Sequence, residues 1–237
     1  MKFSQDYQVF STDTGRNGLV RPAVVLRYLQ ETAVRQMLTE KPSYRNLFKQ
    51  GYAFILSRIR VQFLLPLYEY EHFTVETWAC NERGASFGRC YRLIRDGKTV
   101  AEATAVWALV NVADGSLMRA ESVPFHYGSD EPLDLSARMV FPKIALQEVA
   151  SRTVQYEDVD CNGHLNNARY PDWLCNCMPD IDTVRVTDMT IHYVNEAPLG
   201  ETVTIHSGEI ENGTVFETHL ADGRVNVRAV MTKEKFV

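Results

Sequence analysis

No stretch of this 237-residue chain comes near the roughly 20 consecutive apolar residues that a membrane-crossing helix needs, so no span is expected. The opening residues Met1-Lys2-Phe3-Ser4-Gln5-Asp6-Tyr7 lack the apolar core of a secretory signal, which points to a cytoplasmic protein. Cysteine is sparse: Cys80, Cys90, Cys161, Cys175 and Cys177 are odd in number and scattered, as free thiols in a reducing compartment would be. No glycine-rich stretch suits a phosphate cradle, and no metal set is convincing, so no cofactor is expected. Positive charge is short overall; a net charge of −5 argues against a nucleic-acid partner. The deficit is uneven, with 17 Lys+Arg against 15 Asp+Glu in residues 1–140 and 8 against 15 in residues 141–237. Arg16, Arg21, Arg27, Arg35, Arg58, Arg60, Arg89, Arg92 and Arg95 in the first part suit either a solvated surface or a docking face for an acidic partner.

What the chain does contain is a weak internal repeat. Each half opens on an extended segment followed by Asn-Gly: Tyr7-Gln8-Val9-Phe10 before Asn17-Gly18, and Val154-Gln155-Tyr156 before Asn162-Gly163. A helix with an Arg-Tyr pair comes next (Arg27-Tyr28, Arg169-Tyr170), then a strand running into Pro-Leu (Pro66-Leu67, Pro198-Leu199), then a hairpin with Asp-Gly (Asp96-Gly97, Asp222-Gly223). In the first helix Pro22 suits the first turn, Leu26, Leu29, Ala33 and Met37 form one apolar stripe, and Pro42 lies beyond the expected end. The second helix is expected over about Asn167 to Cys177, with Tyr170, Trp173, Leu174 and Cys177 on one side.

Strands follow by alternation. Ile59, Val61 and Phe63 face away from Arg58, Arg60 and Gln62; Met189, Ile191 and Tyr193 repeat the pattern. Ala101 to Val112 reads as a central strand, and Val225, Val227, Ala229 and Met231 as its counterpart. The expectation is an α+β arrangement of two domains, residues 1–125 and 151–237, each a long helix packed on an antiparallel sheet, joined by a linker over 126–150.

The densest polar cluster is Asp158-Val159-Asp160-Cys161-Asn162-Gly163-His164-Leu165-Asn166-Asn167. If extended, it places Asp160, Asn162 and His164 on one side and Cys161 on the other, which sets Cys161 aside as a nucleophile. Lying just before a helix N-terminus, these side chains sit beside free amide donors, a setting suited to attack on an acyl carbon. The same residue types also suit a plain turn, with Asn166 or Asn167 as the helix cap. Zinc on Cys161, His164, Cys175 and Cys177 is disfavoured, because Cys175 and Cys177 are two apart on a helix and diverge.

The string Asp160-Cys161-Asn162-Gly163-His164-Leu165-Asn166-Asn167-Ala168-Arg169-Tyr170 resembles the active-site segment of the plant and bacterial acyl-acyl-carrier-protein thioesterases, Asp-x-Asn-x-His-x-Asn-Asn-x-x-Tyr. That family's later Tyr-x-x-Glu falls on Tyr193-Val194-Asn195-Glu196. The resemblance covers nearly the whole chain and implies a tandem (double) hot-dog fold. It also implies hydrolysis of fatty acyl groups from acyl-carrier protein (ACP), with catalytic positions at Asp160, Asn162, His164 and Glu196. Asn162 and His164 would orient water or the thioester carbonyl, and Glu196 would hold or activate the water. Asp160 would position the network or attack the carbonyl itself. Plant members carry Cys after this Glu, where this chain has Ala197; a Cys-dependent mechanism at that position is excluded.

The first half lacks this equipment: Asn17-Gly18 is followed by Leu19-Val20, and Leu64 falls at the place matched to Glu196. It is therefore expected to supply the acyl tunnel, with Leu26, Leu29, Ala33, Met37, Phe54, Leu56, Trp107 and Leu109 as lining residues or ordinary core. The competing functions are an acyl-CoA thioesterase on the same fold, a hot-dog dehydratase and a non-catalytic acyl-binding module. As a fused pseudo-dimer, the chain suits either a monomer or a homodimer.

Overall fold

Alternating apolar positions fold into strands that pair, without exception, antiparallel. In the computed structural model, which describes residues 2–128 and 130–236, the first half runs β1 (Phe3–Gln8), α1 (Pro22–Thr39), α2 (Tyr44–Lys49), β2 (Tyr52–Phe63), β3 (His72–Arg83), β4 (Ser86–Arg95), β5 (Lys98–Asn111) and β6 (Leu117–Met118). The second half runs β7 (Gln147–Thr153), α3 (Tyr170–Cys175), β8 (Val184–Tyr193), β9 (Thr202–Ile210), β10 (Gly213–His219) and β11 (Val225–Lys235). The sheet order is β1-β3-β4-β5-β2-β8-β11-β10-β9-β7, with β6 on β5. Each half thus has the same strand order, read outward from the centre. They join through β2 and β8, where Arg58 faces His192 and Gln62 faces Asp188, so one sheet runs through the whole chain. This is the tandem hot-dog arrangement the sequence implied.

The two halves share one apolar core. Leu26, Leu29 and Ala33 of α1 and Tyr170, Trp173 and Leu174 of α3 pack with Ile59, Val61, Met189, Ile191, Ala229 and Met231 of the sheet. Full burial of a side chain such as Leu29 stabilises by about 1.5–3 kcal/mol. The helices are unequal: α1 has 18 residues and ends before Pro42 as expected, while α3 has six, preceded by a 3-10 turn at Asn167–Arg169. The second helix is therefore shorter than the Asn167–Cys177 reading. The amides of Cys177 and Met178 bond back to Leu174 and Cys175, so the chain closes in tight turns ahead of Pro179.

The segment read as a linker is a strap laid on the sheet. The Trp78 indole donates to the Glu131 carbonyl, Arg60 to the Ser136 carbonyl, and His192 Nε2 lies 3.0 Å from the Ala137 carbonyl. Leu135 and Ala137 of the strap are themselves buried, and Arg228 stacks over the ring of Phe141. Strand β7 already begins at Gln147, within the 126–150 range.

Candidate active site

Asp160 to His164 form a tight turn rather than an extended run. The Gly163 amide donates to the Asp160 carbonyl (3.0 Å), the Asp160 amide to the His164 carbonyl (2.9 Å), and Gly163 has φ of +79°, a conformation that glycine adopts without strain. Asn-Gly at the apex is the chemistry of a turn, which is why the extended geometry is not adopted. The Asp160 carboxylate braces it, accepting from the Asn162 amide at 2.8 Å and lying 3.4 Å from Asn162 Nδ2. Asn166 then caps the 3-10 turn, its Oδ1 accepting from the Ala168 amide.

The arm that follows is stitched to the segment after β8. The Leu165 amide donates to Ala197 (2.8 Å) and the Leu199 amide to Gly163 (3.1 Å), with His164 bridging Pro198. This pairing brings together residues 32 apart in sequence: His164 Nδ1 lies 3.1 Å from Glu196 Oε2. Both are half-exposed and reachable by solvent. Cys161 is exposed on the same turn, so the opposite-face argument against it does not hold in this geometry.

A buried polar network that the sequence reading missed fixes the Glu196 side. Asn226, fully buried in β11, donates through Nδ2 to the Tyr170 hydroxyl (2.9 Å) and the Asn195 carbonyl (2.6 Å), while Thr218 donates to its Oδ1 (2.9 Å). The Asn226 carbonyl accepts from the amides of Val194 and Asn195. Tyr193 donates to the Asn167 carbonyl (3.0 Å) and packs its ring against Tyr170. Burial pushes the Tyr170 phenol well above its usual pKa, the Asn226 bond opposing and the Glu196 charge adding; burial also raises Tyr193. The available signal was Asn226, the one uncharged polar residue inside the run Val225–Met231.

These elements open on a cavity of about 530 Å³ shared between the halves. From the second half it is lined by Asp160, Cys161, Asn162, His164, Tyr170, Tyr193 and Glu196; from the first by Leu26, Leu29, Ala33, Met37, Phe54, Leu56 and Trp107. Leu109 is placed elsewhere. It is fully buried among Leu47, Phe87, Ala120, Val123 and Phe125, because α2 and the segment after β6 seal that end of β5. Tyr44 of α2 reaches the cavity too; burial raises its phenol pKa, and the charges of Cys161 and Asp160 add to the shift.

Backbone hydrogen bonds set the register of the repeat. Val9 to Glu71 matches Val154 to Glu201, Arg21 to Asp13 matches Asn166 to Asp158, and Val20 to Leu67 matches Leu165 to Ala197. Gly15, Asn17, Leu19 and Pro66 therefore stand at the positions of Asp160, Asn162, His164 and Glu196. The counterpart of Glu196 is Pro66, not Leu64. The Arg-Tyr pairs are out of register by three residues and the Pro-Leu pairs by two.

Among the described residues, no set of three or more His, Cys, Asp or Glu side chains is arranged to hold a metal ion, and no helix is long and apolar enough to cross a membrane. Residues 9–139 match the thioesterase-like superfamily, and residues 143–234 the acyl-ACP thioesterase C-terminal domain. The chain is 26% identical over 216 residues to a chloroplastic palmitoyl-acyl carrier protein thioesterase of Arabidopsis thaliana, covering 82% of this chain and 52% of that protein. It spans about half the length of the curated relatives it matches. An acyl-ACP thioesterase structure from Bacteroides thetaiotaomicron superposes with a TM-score of 0.91 at 25% identity, covering 98% of both chains. A 12:0-ACP thioesterase from Umbellularia californica shares the fold, with a TM-score of 0.82 at 14% identity over 99% of this chain and 98% of that one. By these matches the chain belongs to the thioesterase-like superfamily, and its second half resembles the acyl-ACP thioesterase C-terminal domain.

Proposed function

We propose that this protein hydrolyses the thioester of fatty acyl-ACP, with chemistry at the Asp160–His164 turn and Glu196 and the acyl chain held by the first half. The observation that carries this reading is the His164–Glu196 pair, 3.1 Å apart, lining a cavity whose first-half wall is mostly apolar, with Gln30, Ser57, Glu82 and Arg89 as its polar members. The Glu196 carboxylate, 3.1 Å from Nδ1 of His164, favours the proton on that nitrogen and leaves Nε2 as the base. Water loses a proton to Nε2 as its oxygen bonds to the acyl carbon. The C–S bond then breaks, and the departing thiolate takes the proton from the imidazolium. Free fatty acid and the carrier thiol are the products. Asn162 orients the water or the carbonyl through its amide. Asp160, whose carboxylate braces its own turn, acts as a positioning residue rather than a nucleophile.

ACP as the carrier is supported by the match of the second half to the acyl-ACP thioesterase domain and by relatives named for palmitoyl-ACP. The arginines of the first half add no weight to the carrier, since Arg16, Arg21, Arg27, Arg35, Arg60, Arg92 and Arg95 are held in ion pairs within the chain and Arg89 is buried. A reducing compartment such as the cytoplasm is proposed on the odd number and scatter of the cysteines in the sequence.

The test is thiol release from palmitoyl-ACP and palmitoyl-CoA, assayed side by side. The expected result is release mainly from the ACP substrate. Release mainly from CoA would keep the site and replace the carrier. Silence on both, and on shorter acyl chains, would transfer the site to a dehydratase or a binding module.

A further inference from the structure

Far from the catalytic turn, two histidines face each other on the outer side of the second sheet. His206 lies on β9 and His219 on β10, and their Nδ1 atoms are 3.2 Å apart. Their neighbours Ile205 and Phe216 are fully buried in the core, so by strand alternation His206 and the residue opposite it, Glu217, point to the other face. Each ring has a carboxylate behind it. Glu217 Oε1 lies 3.0 Å from Nε2 of His219, and Glu148 Oε2 of the edge strand lies 3.9 Å from Nε2 of His206. Glu217 is itself held, its other oxygen accepting from Arg228 Nε.

Glu217 stands behind His219 at the distance of the carboxylate–histidine pairs that back metal ligands, while Glu148 at 3.9 Å adds only its charge. The two Nδ1 atoms converge at a separation that either an N–H···N hydrogen bond or a shared metal ion would hold. With metal–nitrogen bonds of about 2.0–2.1 Å, two imidazole nitrogens on one ion stand about 3.3–3.4 Å apart at a tetrahedral angle and about 2.9 Å apart at a right angle. The observed separation falls between these values.

We propose that His206 and His219 form a surface site for a divalent transition ion of the imidazole-binding class, zinc or cobalt, backed by Glu217 and Glu148. The chain supplies two vertices and solvent the others, so the site is exchangeable rather than a closed structural centre. A bound ion would clip β9 to β10 and, through Glu148, steady the edge strand β7.

The test is titration of the chelator-treated full chain with zinc chloride against a chromophoric competitor, with cobalt(II) absorption reporting nitrogen ligation. The expected result is one equivalent bound by wild type and a rise in Tm with zinc. Affinity should fall at least about tenfold in His206→Gln and in His219→Gln, and about 10–100-fold in Glu217→Gln. All three variants should keep the metal-free circular dichroism of the wild type. Zinc binding equal in wild type and both histidine variants would overturn the proposal, as would no binding by wild type. So would NMR showing a proton shared between the two Nδ1 atoms that zinc does not displace. None of these readouts depends on thioester hydrolysis.

Discussion

At Gly15–Leu19 the first half makes the same two backbone hydrogen bonds that Asp160–His164 makes in the second, yet it offers Gly15, Leu19 and Pro66 where the second offers Asp160, His164 and Glu196. The retained asparagine has changed use. Asn17 turns its amide toward the carbonyls of Ile181 and Val184 and ties the halves together, whereas Asn162 stays exposed at the cavity mouth. The helices differ in the opposite sense: 18 residues in α1 against six in α3. The cavity of about 400 Å³ beside the first-half turn is bordered by the ion pairs Arg21–Asp172 and Arg16–Asp182. A repeat can thus keep its backbone while one copy keeps the ionisable groups and the other the long apolar helix. On our reading, a single working site is assembled from the two.

The comparison breaks most visibly at the Asp160–His164 turn. His164→Ala should lower kcat/KM on acyl-ACP by about 10²–10⁴, while Leu19→His, even combined with Pro66→Glu, adds no activity; steady-state kinetics on both variants decides this. Next in size is Leu109→Ala. Because Leu109 is core and not cavity wall, the change should cost about 2–5 kcal/mol in urea unfolding and leave chain-length preference alone. Asn226→Ala leaves the partners of a fully buried amide unpaired. It should lose about 1–3 kcal/mol of stability and also lower kcat, since the segment carrying Glu196 hangs from that amide.

The smallest effect concerns His192 at the seam between the halves. Burial holds its pKa below the usual 6.5; the Ala137 carbonyl opposes the shift, and the Arg58 and Arg228 charges add to it. With the folded value depressed, the unfolded chain binds the proton more readily. This contribution is fully present above about pH 6.5 and is lost as pH falls toward the folded value. Melting temperatures of His192→Gln should therefore decline less than those of wild type between about pH 7.5 and 5.5.

Much of this architecture is legible in local pattern. Leu26, Leu29, Ala33 and Met37 announce α1 through short-range periodicity, whereas the Asp160–Tyr170 string points to the candidate site only through its resemblance to a family motif. The geometry of the turn is also written locally, in Asn162-Gly163, but alternation was the wrong rule for it. Longer-range features were harder to read. The repeat register depends on backbone bonds such as Val20 to Leu67, which cheap identities like Pro-Leu do not report. Leu109 reads as a cavity residue until α2 and the Ala120–Phe125 segment are seen to cover it. Asn226 lies 30 residues from Glu196, and only the sheet brings its amide to that segment.

The proposed division of labour is tested most directly by the acyl-chain profile of Ala33→Leu and Met37→Phe, two substitutions on α1 that reach the cavity without changing the Asp160–His164 turn. Thiol release would be measured across acyl-ACPs from octanoyl to stearoyl. The account predicts that preference moves toward shorter chains while turnover on the shortest is kept. A profile that keeps its shape, or one that falls equally at every length, would contradict it.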